Sequence, residues 1–207
     1  MSLKTKKIVL IGVFSAIAYI FSCIGSIIPK FQGFLTLDPK DAVIVIAGFA
    51  LGPLASVAIS IIVPFIEMIT TSTTELIGFL MNVLSSLAFS LIPALLYRKN
   101  KSFKSAIIGL LTGLFATTAL MLLWNYVVTP FYMGIPREAI ADMLLPVFLP
   151  FNLIKYAINT VLTVVLYKPT VKILRKTLML APSKKKEESN QKADTPPKKK
   201  ESQGEDK

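Results

Sequence analysis

Asp41-Ala42-Val43-Ile44-Val45-Ile46-Ala47-Gly48-Phe49-Ala50-Leu51-Gly52-Pro53-Leu54 opens a run that stays apolar to Ile66 and has two readings. As one helix it crosses a bilayer once. Broken at Gly52-Pro53, it supplies a short span to Leu51 and a second from Leu54 to about Thr70, because proline cannot continue the preceding helix and glycine permits the turn. Charge decides between the two. A single span leaves Arg98, Lys99, Lys101 and Lys104 on the side opposite the basic N-terminus, whereas the split returns them to the same side, as the positive-inside rule requires. The split is therefore the reading adopted.

Outward from that break, the other long apolar segments each approach the roughly 20 residues that cross a hydrocarbon core. Lys4, Lys6 and Lys7 precede a first span from Ile8 to Ile28, too long for a secretory signal core. Its Gly12 and Ala16 stand four apart, a small-residue pair that admits a second helix closely or serves packing within the bundle. Leu76 to Tyr97 forms the fourth span, Ala106 to Val128 the fifth, and Val147 to about Tyr167 the sixth. Glu67 to Glu75 reads as an outer loop. The connection from Thr129 to Pro146, with prolines at 130, 136 and 146, reads as a long outer lid or binding loop. The expected fold is an all-α integral membrane protein, a six-transmembrane-helix bundle over residues 1–176. A charged, disordered C-terminal tail over 177–207 follows, with eight lysines and six acids beyond Pro182.

Composition agrees: 53% of residues are hydrophobic, so the net charge of +11 reports topology rather than nucleic-acid binding. Nineteen basic residues fall at the N-terminus, in the 98–104 loop, from 168 to 176 and in the tail, which puts both termini in the cytoplasm. Six acids, Asp38, Asp41, Glu67, Glu75, Glu138 and Asp142, fall toward the outer face. One cysteine and no histidine remove internal disulfides, the Ser-His-Asp triad and the commonest transition-metal ligand. No HExxH, CxxC or Walker-type phosphate loop occurs, so neither a catalytic set nor a metal site is expected and ATP hydrolysis is not a property of this chain.

The polar exceptions then carry the functional argument. In Leu149-Pro150-Phe151-Asn152-Leu153-Ile154-Lys155-Tyr156-Ala157-Ile158-Asn159, a lysine lies inside an apolar run, where a charge costs several kcal/mol. Asn152, Lys155 and Asn159 are spaced i, i+3, i+7 and share one helical stripe. Asp38, Asp41, Glu67, Asn82 and Asn125 gather toward the same ends of other helices and, with Asn152 and Lys155, outline a pocket open to the outside. Each has a structural reading beside the ligand one. Asp41 caps a helix start, Glu67 pairs with Lys155, Asn82 bridges helices, and Lys155 snorkels to the interface.

Four marks in order resemble the substrate-binding S components of energy-coupling factor (ECF) transporters, in particular their riboflavin-specific branch. They are Val9-Leu10-Ile11-Gly12-Val13-Phe14-Ser15-Ala16, the run Asp41 to Pro53, Gly78-Phe79-Leu80-Met81-Asn82, and Leu149 to Lys155. The resemblance covers about residues 5 to 176. It implies a non-enzymatic six-helix protein of the bacterial cell membrane that captures riboflavin outside, needs no cofactor of its own, and works with a T subunit and two ABC-type ATPases. It also implies flavin contact by Asn125, Asn152 and Lys155 and T-subunit contact at Gly12-xxx-Ala16, where the family has an Ala-xxx-Ala-like surface. Asn159, a full turn deeper, matches no mark and is set aside. The alternatives are an S component for another vitamin and a non-transporting subunit of a membrane complex.

Overall fold

The computed structural model describes residues 3–27, 31, 35–71 and 75–179, and within these every regular element is helical. The order is α1 (Leu3–Ile27), α2 (Lys40–Leu51), α3 (Pro53–Thr70), α4 (Glu75–Lys99), α5 (Phe103–Met133), α6 (Arg137–Met143), a π-turn (Leu144–Phe148) and α7 (Leu149–Met179). The break between α2 and α3 falls where expected. Gly52 takes a positive φ of 106°, which a side chain resists, and Pro53 occupies the first turn of α3, where its missing N–H is no loss.

Among the described residues, five helices are long and apolar enough to cross a membrane, namely α1, α3, α4, α5 and the α6–α7 unit. Helix α2 is not among them: at ~1.5 Å per residue its 12 residues rise about 18 Å, short of a hydrocarbon core. It is the central rod instead. Ten apolar residues after Asp41 leave it no polar face, and it is buried from Lys40 to Phe49 by α1, α3, α4 and α7. One apolar core, with Phe14, Val43, Ile44, Ala47 and Ile59, joins α2 to α1 and α3. A second, with Phe49, Phe89, Tyr97, Leu110, Leu114 and Tyr156, joins it to α4, α5 and α7. Gly109 lets α5 lie directly on α4, since a Cβ there would come within 2.7 Å of the Pro93 backbone. Exposed Ile8, Leu54, Ile108, Phe115, Val161 and Val165 face outward from four helices, as lipid contact demands.

The long lid between the fifth and sixth spans is not a loop. Helix α5 continues through Pro130 to Met133, Gly134 ends it in the left-handed conformation, and Pro136 precedes α6. Prolines punctuate soluble chains, but within an apolar bundle neighbouring groups re-satisfy the backbone they free. Pro146 and Pro150 lack N–H groups on successive turns, and the backbone widens there: the Leu149 N–H reaches the Leu144 carbonyl, five residues back. The Glu67–Glu75 loop is also shorter than expected, because α3 continues past Glu67 to Thr70 and α4 begins at Glu75; residues 72–74 fall outside the described residues. The tail expected over 177–207 likewise lies outside them beyond Met179, to which α7 extends.

Candidate functional site

Asp38 sits on the segment before α2, held from two sides. From α1, Gly25 approaches so closely that an added Cβ would stand 2.7 Å from the Asp38 Cα. From α7, Asn159 Nδ2 donates to the Asp38 carbonyl at 3.0 Å. The same amide accepts the Ala42 N–H through Oδ1 at 2.8 Å, which satisfies one of the free donors at the start of α2. Asn159 thus fastens both the incoming segment and the first turn of α2 to α7, and it is 1% exposed.

Five ionisable side chains meet around this junction. Lys40, 1% exposed, donates to both Glu67 oxygens, at 2.8 and 2.6 Å, tying α2 to the far end of α3. Lys155 donates to Asp38 Oδ2 at 3.2 Å, and Lys40 lies 3.8 Å from the same oxygen. Asp41 accepts from Ser86 Oγ of α4 at 2.6 Å. A buried charge is tolerated when paired and hydrogen-bonded, and Lys40 with Glu67 meets that condition fully. The remainder of the cluster is less saturated. Among the described residues, Asp38 Oδ1 and Asp41 Oδ2 are buried without a hydrogen-bond partner, and Lys155 uses one of three ammonium donors.

The two sharper amides lie nearby on the same end of the bundle. Asn152, on the first turn of α7, donates to the Phe148 carbonyl in the π-turn at 2.8 Å. Asn125 on α5 donates to the Met121 carbonyl and accepts from Thr129 Oγ1 at 3.0 Å. Both are 4% exposed. Leu122, one turn from Asn125, packs against the apolar cluster that contains Phe148 and Phe151, the latter next to Asn152 in α7. Phe31, whose backbone pairs with Leu35, stacks on Phe151 with centroids 6.1 Å apart. Leu35 before α2 and Ile140 of α6 are buried in one apolar cluster with Phe148 and Phe151, and Leu37, Ile135 and Met143 pack against it, so the segment before α2 and the 129–146 connection both cover this region.

Three structural readings change with this geometry. Glu67 pairs with Lys40 and not with Lys155, whose partner is Asp38. Asp41 does not cap α2: Pro39 holds that position without a side-chain bond, and Asp41 bridges to α4 instead. Lys155 does not snorkel; it is 7% exposed and turned into the cluster. Asn82 is half-buried on α4, one turn before Ser86, whose hydroxyl holds Asp41. Gly12 and Ala16 stay apart from the cluster, exposed on α1, and a Cβ added to Gly12 meets nothing within 4 Å. Lys40 and Asn159 were absent from the sequence-derived site. The available signal was the all-apolar run behind Asp41, since a helix without a polar face carries its first turn inside with it.

Comparison with known proteins places this geometry in context. The family described as "ECF transporter, substrate-specific component" matches residues 6–167. The chain is 30% identical over 168 residues to the riboflavin transporter FmnP of Bacillus subtilis strain 168, spanning 77% of this chain and 88% of that protein. It is 28% identical over 179 residues to the riboflavin transporter RibU of Staphylococcus aureus strain TCH60, spanning 84% and 94%. A solved structure described as the S component of a bacterial ECF transporter superposes with a TM-score of 0.70 at 26% identity. That match covers 83% of this chain and 98% of the other.

Proposed function

Because the chain belongs to the substrate-specific components of ECF transporters, we propose that it captures riboflavin and delivers it across the bacterial cell membrane. The observation that carries this reading is the pairing of Asn152 with Lys155 on one face of α7, both buried and flanked by Phe151 and Tyr156. Isoalloxazine is flat and mostly apolar, with a pyrimidine edge that alternates carbonyl, N–H and carbonyl. An amide offers donor and acceptor together, and an ammonium offers donors, so Asn125, Asn152 and Lys155 suit that edge while rings and aliphatic groups take the rest. Glu67, Asp41 and Asn82 suit the hydroxyls of the ribityl chain. Glu67 enters this role while already bound to Lys40, so it serves as a fixed acceptor rather than a mobile one.

In the same reading the site opens outward, the termini are cytoplasmic, and α2 with its preceding segment completes the sixth crossing. Energy comes from partners: a T subunit and two ABC-type ATPases. Gly12 and Ala16 offer the T subunit a small-residue strip on a helix face that the bundle leaves uncovered. The test is titration of the purified protein with riboflavin, followed by quenching of flavin fluorescence. Saturable quenching at micromolar concentration is expected, with Asn152→Leu/Lys155→Leu weakening it by more than about tenfold, as loss of buried hydrogen-bond partners does. No quenching by the native protein removes riboflavin as the ligand. Quenching that survives the double substitution removes these two residues from the site.

A further inference from the structure

The two buried lysines are held differently, and the difference bears on what the site accepts. Lys40 is committed to both oxygens of Glu67 at 2.8 and 2.6 Å. Lys155 makes one bond, to Asp38, at 3.2 Å, longer than a charge-assisted pair normally settles. Asp38 is nonetheless no accident of a mobile segment: Gly25 and Asn159 fix its backbone from opposite sides. Its carboxylate therefore stands at a set place, neutralising Lys155 while two ammonium donors stay available to a ligand.

Resting on the riboflavin reading, we propose that Asp38 is a specificity-determining residue. By keeping Lys155 charge-compensated, it makes the site take a flavin whose imide is neutral and disfavour one whose imide is ionised. The surrounding charges point the same way. Among the described residues, the preceding segment and α2 contribute Asp38, Lys40 and Asp41, α3 contributes Glu67, and α7 contributes Lys155 and Tyr156. Helix α4 presents Ser86, α5 presents Asn125, and α1 presents Gly25 with half-buried Cys23 two residues away. Three carboxylates thus face two ammoniums. A ligand carbonyl joins this set without changing its charge, whereas an imide anion adds a negative charge where negative charge is already in excess. Without Asp38, Lys155 loses its nearest counter-charge and favours the anion.

Imide ionisation changes the flavin absorption spectrum, so the proposal is read by titrating riboflavin bound to the full-length native protein with alkali, beside free riboflavin. The bound imide is expected to ionise at higher pH than the free one. In Asp38→Asn the transition should fall by about one pH unit or more, the size of a removed neighbouring charge, whereas Asp38→Glu should keep the native direction. A native transition below that of free riboflavin overturns the proposal without needing any variant. So does an Asp38→Asn protein that binds flavin with an unmoved transition. If the native protein binds no riboflavin, the functional reading itself fails and this inference with it; binding with the wrong shift removes the inference alone.

Discussion

Helix α2 is buried from Lys40 to Phe49, yet its two ends are held by opposite chemistries. At its start, Lys40, Asp41 and the Ala42 N–H are engaged by Glu67, Ser86 and Asn159 from three different helices. At its finish, Phe49 lies 4.5 Å from Tyr97 and 5.8 Å from Tyr167 between ring centroids. The hydroxyls of those tyrosines meet at 2.8 Å, and Phe103 closes on Tyr167. The aromatic end is a packed floor, since rings gain by contact and lose it when separated. The charged end keeps unpaired acceptors on Asp38 and Asp41 and spare donors on Lys155. A polar ligand can therefore exchange partners at one end of the rod while the other stays closed.

The largest way to break this contrast is Lys40→Met. It strands the Glu67 carboxylate in the interior, and removing one member of a buried pair costs about 3–5 kcal/mol. Lys40→Met/Glu67→Leu should recover most of that loss, because the pair's attraction mainly offsets its own desolvation. Thermal unfolding in detergent measures both. A single substitution as stable as the native protein would mean that charge does not hold this end.

Next comes Phe49→Ala at the aromatic floor, where deletion of a buried ring costs about 3 kcal/mol and the adjoining tyrosines can partly close the gap. Unfolding should come earlier while riboflavin still binds with native affinity at temperatures where the protein is folded. If affinity falls along with stability, the two ends are coupled through α2 and the separation drawn above is wrong.

What could be read beforehand divides along similar lines. The break at Gly52-Pro53 was legible because backbone chemistry and charge placement are local. The helical stripe on α7 was legible because spacing alone sets which residues share a face. Lys40 was not, since it stands beside an apolar run rather than inside one, and its burial depends on α2 being enclosed by four other helices. The partner of Glu67 was missed for the same reason: two lysines were available, and only the crossing of α2 with α3 chooses between them. The prolines at 130, 136 and 146 misled by a different route, marking a loop where the bundle absorbs them as a helix interior, a helix start and a widened turn.

Asn159 tests how the charged end is built. Its stripe position drew attention, yet without a matching mark it was set aside, and the structure gives it a fastening role through the Ala42 N–H and the Asp38 carbonyl. Asn159→Leu leaves both backbone groups buried without that partner, at a cost of about 1–3 kcal/mol. That is the smallest of the three effects on stability, because neither group carries a full charge. Its influence on ligand binding should exceed its influence on folding, since it frees the segment that carries Asp38 and so loosens the counter-charge of Lys155. Riboflavin titration of Asn159→Leu under conditions where it is fully folded separates the two. Weakened binding means that the amide positions the site through Asp38, whereas native affinity means that Asn159 only ties helices together and the stripe on α7 ends, functionally, at Lys155.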